Sequence, residues 1–532
     1  MHHFRKILAR VSACAMLLPL TGCGMFTEIN AGNDLGVQTG DRASVISGTN
    51  TAGDGSGTAV STLPTSSTTT TTTTTAAPKK PDISVHMLAV GDNLVQTGVY
   101  NAAHAWSADG TYDFTKTYEH IKPLVEAADV AVINQETLIC GSDYAISGSN
   151  LNFNSPVQLG QAMIDVGFDV FTMANNHMLD KRIDGLESCM SYWDEKMQKN
   201  PDILAVGAYR DAEDQSRIRV QEVKGMKIAY LAYTEHLNGY KIPATSQVKV
   251  GMTTDEALIQ KQIKEAKGMA DAVIVAMHWG NEDTHAVRED VKALAQKVVE
   301  WGADVILGTH PHTAQTMGWI DRKDGTRGFV YYSLGNFISA QTDNFNMIGE
   351  MGEFNLVKNG ETGKVTVEDV TCMPCITQYE SAKFANCRVY PYYEYTKELA
   401  SKHSLPVAPM GTAKTFSMDV VNNIVNKNIP AEFRKLTKDG KPDQAAATTA
   451  ATTTTTKATT TTTTTTTSWM ATSTTTSSAG ALTSTTTLPG MTTLTTTSTT
   501  AKKAVTTTTT TAKKKVTTTT TTTTAKKKWG AA

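Results

Sequence analysis

Five times in this chain an apolar run stops at a short cluster of polar residues that favour metals. The run 85–90 stops at Gly91-Asp92, and 130–133 stops at Asn134-Gln135-Glu136. The run 170–174 stops at Asn175-Asn176-His177, and 273–277 stops at His278-Trp279-Gly280. The fifth, 305–307, stops at Gly308-Thr309-His310-Pro311-His312. Short β-branched runs separated by segments of helical period describe βαβ units. Open α/β sheets place their sites just past the carboxyl ends of their strands. Asp, Glu, Asn and His from five strand ends therefore converge on one point, a candidate site for two metal ions.

The segments 155–167, 185–197, 254–269 and 285–301 read as helices between these strands. A further helix over 114–128 contains Pro123 and breaks at Lys122. Strands are expected at 218–223 and 227–233, paired across Lys224-Gly225-Met226, and at 329–333, ending at Leu334-Gly335-Asn336-Phe337. Beyond about residue 341 the pattern weakens to a hairpin, 353–358 with 364–370, and a closing helix at 418–427.

Much of the 532-residue chain is unsuited to a core. The stretches 58–75 and 448–524 are almost all Thr with Ser, Ala and Lys. They lack the apolar surface needed to offset chain entropy and read as disordered. At the N-terminus, Arg5, Lys6 and Arg10 precede a short apolar run, 7–20, that ends in Leu20-Thr21-Gly22-Cys23. That pattern resembles a bacterial lipobox with Cys23 as the lipidated residue; the alternative is an ordinary secretory signal with an incidental Cys. The organisation expected is a lipoprotein signal at 1–22, a Gly/Ser/Thr linker at 23–82, a domain at 83–342, its C-terminal extension at 343–442 and a Thr/Lys-rich tail at 443–532. The domain would then sit on the extracellular face of the cell membrane, held by lipid. A formal net charge of −2 gives no case for a nucleic-acid partner. Cys372-Met373-Pro374-Cys375 has no second CxxC to complete a zinc site, which leaves a local disulfide or two ordinary thiols.

His310 and His312 carry the strongest signal, because imidazole is the commonest neutral metal ligand. Glu136 ends a very apolar strand, where a carboxylate is costly to bury without a cation. Asp92 follows a glycine that permits a tight turn; an Asx-turn is the alternative. An N-cap explains one of Asn175 and Asn176, but not His177, which beside a metal site can act as general acid. His278 alone would read as a core histidine; Glu282 and His285 follow it as candidate outer partners. Asn336 reads equally as a substrate contact or a turn residue.

The order Gly-Asp, Asn-x-Glu, Asn-Asn-His, His-Trp-Gly, Gly-x-His-Pro-His, Ser-Leu-Gly-Asn-Phe resembles the CapA family of bacterial capsule-synthesis proteins, linked to poly-γ-glutamate production and export. The resemblance covers about residues 84–341 and implies a four-layer α/β/β/α sandwich like that of calcineurin-like metallophosphoesterases. It implies two divalent ions (Mn, Zn or Fe), with Asp92 and His312 on the first, Asn176, His278 and His310 on the second, and Glu136 bridging. It places His177 beside the leaving group and Asn134, Asn175 and Asn336 on the substrate side. Leu94 stands where metallophosphoesterases usually carry a histidine. The activity implied is hydrolysis of a phosphoryl or amide centre in an anionic polymer such as poly-γ-glutamate, alongside capsule-synthesis membrane proteins. The alternative is a non-catalytic scaffold in a membrane complex that exports the polymer.

Overall fold

The computed structural model describes residues 79–440 except 150, 382 and 406–415, and three short strands further on. Those strands, Thr476–Ser478, Ala481–Thr486 and Leu494–Ser498, pair antiparallel with one another inside the Thr-rich stretch. The signal segment, Cys23, most of the linker and the rest of the tail lie outside the described residues.

Two sheets are built from the runs read in the sequence. In the first, β1 (Ile83–Asn93), β2 (Val130–Asn134), β3 (Val170–Thr172) and β4 (Leu204–Val206) lie side by side and parallel. In the second, β5 (Arg219–Val223) and β6 (Met226–Thr234) form a hairpin, and β7 (Ala272–His278) and β8 (Val305–Thr309) continue parallel to β6. Its far edge is the antiparallel pair β9 (Met317–Asp321) and β10 (Arg327–Tyr331), with β10 parallel to β8. The chain then returns to the first sheet. β11 (Asn336–Ile338) lies parallel to the end of β1. β12 (Ile348–Lys358), β13 (Val365–Glu380) and β14 (Ala385–Pro391) form an antiparallel meander on the other side of β1.

Period-two alternation shows how the layers stack. Ile228, Tyr230, Ala232, Ile274, Ala276, Val305, Leu307, Phe329 and Tyr331 join the large core shared with the first sheet. Their neighbours Ala229, Leu231, Tyr233, Val273, Val275, Met277, Ile306 and Val330 face a separate cluster with Ile259, Ile263, Val291, Ala295 and Val298. These last residues come from α4 (Glu256–Met269) and α5 (Glu289–Trp301). On the outside of the first sheet lie α1 (Thr97–Trp106), α2 (Val157–Val166) and α3 (Arg182–Lys199). Their Val99, Leu159, Met163, Leu186 and Trp193 enter the large core. The architecture is the expected α/β/β/α sandwich, with apolar residues on both faces of each sheet.

The Tyr331 hydroxyl crosses between the sheets and donates to the carbonyls of Glu353 and Thr371, at 3.4 and 3.2 Å. No helix among the described residues is long and apolar enough to cross a membrane.

Candidate metal centre

All five polar clusters meet at one end of the sandwich, and every proposed ligand is buried there: Asp92, Glu136, Asn176, His278, His310 and His312. The reason is topological. The parallel strands β1, β2, β3, β7 and β8 end on the same side, and the two sheets bring their ends together.

Glu136 is the centre of the arrangement. Its Oε1 lies 3.7 Å from His312 Nε2, 3.8 Å from His278 Nε2 and 3.9 Å from His177 Nε2. Neither carboxylate oxygen has a hydrogen-bond partner, and neither does His310 Nδ1. Buried polar atoms are almost always satisfied, so orphans at one point call for a missing partner. These separations are too long for hydrogen bonds. They are close to the roughly 3–3.5 Å between ligand atoms that each sit about 2.1 Å from a shared ion. Asp92, Glu136 and His312 also form a compact group, with ligand atoms within 4.8 Å of one another. The residues present therefore fit a divalent cation.

Local folding presents these side chains. A register shift between Val90 and Asp92 turns the end of β1 out of the ladder. Gly91 packs directly on Gly335, whose carbonyl oxygen would lie 1.8 Å from any Cβ at position 91. Asp92 Oδ2 accepts the His310 backbone N–H at 3.2 Å and lies 3.3 Å from His312 Nδ1. His310 and His312 both adopt positive φ, 98° and 56°, a conformation uncommon without glycine and held only by its surroundings. The turn is clamped by Asp283 N–H on the Pro311 carbonyl at 2.9 Å and by Asn346 Nδ2 on the His312 carbonyl at 3.1 Å.

Outer partners set the ring orientations. His278 Nδ1 faces Thr309 Oγ1 at 3.0 Å, which turns Nε2 toward Glu136 and Asn176 Oδ1, the latter at 3.0 Å. His312 Nδ1 faces Asn336 Oδ1 at 3.0 Å, which leaves Nε2 toward Glu136. His177 Nδ1 is 2.9 Å from Asp180 Oδ2, and Phe153 packs edge-on against its ring at 4.6 Å.

Burial and mutual charge shape the electrostatics of the cluster. Burial, then the neighbouring Asp92, push the Glu136 carboxyl well above its usual range. Burial and then His310 hold the His278 imidazole far below its usual value, and burial with His312 drives His310 down to about 2. His312 goes the other way. Burial pulls it down, but Glu136 and Asp92 outweigh that and raise it to about 10.

The three asparagines expected on the substrate side bond the ligands and their loops. Asn134 donates to Asp92 Oδ1 at 2.7 Å and accepts from Thr172 Oγ1 at 3.3 Å. Asn175 donates to the Gln135 carbonyl and accepts the His177 N–H, both at 3.0 Å. Asn336 holds His312, Ser339 and Gln341. Each buried amide must satisfy a donor and an acceptor, and these three do so on ligands or their loops. Of the outer partners expected after His278, His285 instead binds the Ala314 carbonyl at 2.6 Å. Glu282 stays exposed, its charge acting on Glu136 and His312.

Sequence reading missed Asp180, Thr309, His236 and Asn238. Asn238 bridges Asn176 and His177, and the His236 ring stands 5.0 Å from that of His310. The signal for His236 was present: β6 also stops at a polar cluster, Thr234-Glu235-His236. The CxxC pair resolves as two buried free thiols. Cys372 and Cys375 lie three residues apart on β13, so their side chains leave opposite faces of the sheet.

Several known proteins are similar to this chain. A capsule biosynthesis protein CapA from Bacillus anthracis is 28% identical over 281 residues, covering 52% of this chain and 64% of that protein. A PGA biosynthesis protein CapA from Bacillus subtilis (strain 168) is 27% identical over 282 residues, covering 53% of this chain and 70% of that one. The chain thus spans about two thirds of the length of these relatives. Among solved structures, a putative 5'-nucleotidase from Staphylococcus aureus aligns at 12% identity and a TM-score of 0.34, covering 58% of this chain and 54% of that one. Residues 86–341 match a family model, that of the Bacterial capsule synthesis protein PGA_cap. The strand ends that build the centre all fall inside that match, and over this span the chain is similar to the bacterial capsule-synthesis proteins of that family.

Proposed function

We propose that this protein is a metal-dependent hydrolase of the extracellular membrane face, tethered through lipidated Cys23. It would work in assembly, release or tailoring of capsular poly-γ-glutamate or a related anionic polymer. The capsule role rests on the names of the Bacillus relatives. The hydrolase role rests on one observation, the orphaned Glu136 carboxylate among three imidazole nitrogens at 3.7–3.9 Å.

Asp92, Glu136 and His312 would hold one divalent ion, and Asn176, His278 and His310, with Glu136, a second. Such ions lower the pKa of a bound water and neutralise charge that develops on a phosphoryl or amide group. His177 supplies the proton. Asp180 fixes its Nδ1, so that Nε2 faces the centre and, when protonated, can donate to a leaving oxygen or nitrogen. Asn175 fixes the backbone of that loop through the His177 N–H.

A second reading, the non-catalytic export scaffold, draws on Leu94. It lies two residues beyond Asp92, is buried, and offers no ligand to the first ion. One comparison separates the readings. The full chain is dialysed and its metal counted by elemental mass spectrometry, beside His310→Ala/His312→Ala. About two ions per chain, lost in the variant together with hydrolysis of phosphoesters or poly-γ-glutamate, is the expected result. A folded wild type that binds no Mn, Zn or Fe, or a ligand variant that still supports surface polymer in cells, would overturn it.

A further inference from the structure

The turn after β6 belongs to the centre, although none of its residues is among the six ligands assigned above. The Glu235 N–H donates to the His278 carbonyl at 2.9 Å. The Glu235 carboxylate accepts the Gly280 N–H at 3.0 Å and Arg288 Nη2 at 2.8 Å, which ties the turn to the loop after β7. Asn238, at φ 50°, accepts from Asn176 Nδ2 at 3.2 Å, and its own Nδ2 lies 3.4 Å from His177 Nδ1. The Arg182 guanidinium lies 4.1 Å from the Tyr240 ring and pins the far end of the loop. Between these anchors His236 stands T-shaped to His310, ring centroids 5.0 Å apart.

The hydrogen bond within the turn decides what His236 can do. Its Nδ1 accepts the Asn238 backbone N–H at 3.3 Å. A neutral imidazole whose Nδ1 accepts carries its proton on Nε2. That Nε2–H has no partner among the described residues, and the side chain is half-buried. A ring in this tautomer is not a ligand, because Nε2 has no free lone pair. To bind metal it would have to move its proton to Nδ1 and abandon Asn238 N–H.

We propose that His236 is a substrate-positioning residue, whose Nε2–H donates a hydrogen bond to an oxyanion bound beside His310. The oxyanion is phosphoryl or carboxylate, the two groups an anionic polymer or its carrier can present. This inference rests on reading the centre as a metal site for anionic substrate. Its removal costs one hydrogen bond to a charged group, about a tenfold loss of anion affinity.

The test titrates inorganic phosphate, and separately acetate, into the Mn-loaded full chain by calorimetry. Wild type is compared with His236→Ala and His236→Gln, and the metal content of each is measured. The expected result is unchanged metal stoichiometry, an anion Kd raised about tenfold in His236→Ala, and recovery in His236→Gln, whose amide still donates. The arm in which this occurs identifies the oxyanion. Equal affinities in wild type and His236→Ala, or a metal-loaded wild type that binds neither anion, would overturn the inference alone. Loss of metal from both variants would make His236 a ligand and overturn it too. A wild type without metal would bring down the underlying reading and this inference together.

Discussion

Glu136 is fully buried with both oxygens unpartnered, a placement that costs the metal-free fold about 1–3 kcal/mol, and more when charged. Burial and then Asp92 raise its folded-state pKa well above the unfolded value of about 4.3. Stability from this group is therefore complete below the unfolded pKa and is lost as pH rises through the raised value. Glu136→Gln removes that titration. The metal-free variant should match wild type in acid and exceed it in stability as pH rises. Metal should reverse the order. A site-binding ion at a hundredfold excess over Kd stabilises wild type by roughly 2.7 kcal/mol and should leave the variant unmoved. Denaturant melts across pH, with and without Mn, measure both effects. A variant that metal still stabilises would remove Glu136 from the site. The residue was legible in the sequence because a carboxylate closing a run as apolar as 130–133 demands a reason. Asp180 was not. Its partners are His177, across a turn, and the Phe153 N–H, 27 residues away. No spacing rule connects three such positions.

At the scale of elements, strand ends were readable where an apolar run met a polar cluster, and unreadable where none followed. β4 and β11 have three residues each, as does β3, but β4 runs into Gly207-Ala208 and β11 follows directly on the turn at Gly335, whereas the run at β3 ends in Asn175-Asn176-His177. β13 runs 16 residues, but a hairpin was read only as far as 370, because Cys372–Cys375 and its proline interrupt the alternation. What the sequence could not show at all is how strand ends pack. Gly91 was read as a residue permitting a turn. Its φ is not positive, and its use is the close approach of Gly335, whose carbonyl oxygen leaves no room for a Cβ. Gly91→Ala should therefore destabilise the protein by about 1–3 kcal/mol, toward the upper end because the obstacle is backbone. It should also weaken metal binding, since Asp92 is the next residue and would move with the strand. Gly318→Ala, with nothing within 4 Å of its Cβ, serves as the control. Equal metal affinity for the two variants would show that the Gly91–Gly335 contact does not position Asp92.

For the whole molecule, the question is where the working unit ends. The match to the capsule-synthesis family stops at residue 341, and the sequence pattern weakens at the same place. The sheet does not stop there. β12 pairs with β1 through eight successive residue pairs, from Ile83↔Lys358 to Val90↔Met351, and β13 covers β12 in turn. β12 and β13 place Ile348, Met351, Phe354, Leu356, Cys372, Met373 and Ile376 in the large core. Each large apolar side chain fully buried contributes roughly 1.5–3 kcal/mol, so the loss would exceed the whole stability of an ordinary domain. It would also bare the edge of β1, the strand that carries Asp92, as a template for aggregation. A chain ended at residue 342 should therefore lack a cooperative thermal transition and elute as aggregate, whereas one ended at 440 should melt cooperatively and keep its metal. The site depends on this as well: Asn346, which clamps the His312 carbonyl, lies beyond the cut. A monomeric, cooperatively melting 342-residue chain would show that the meander is an accessory. Recovery of the fold only with 440 would make residues 348–391 part of the α/β/β/α sandwich itself.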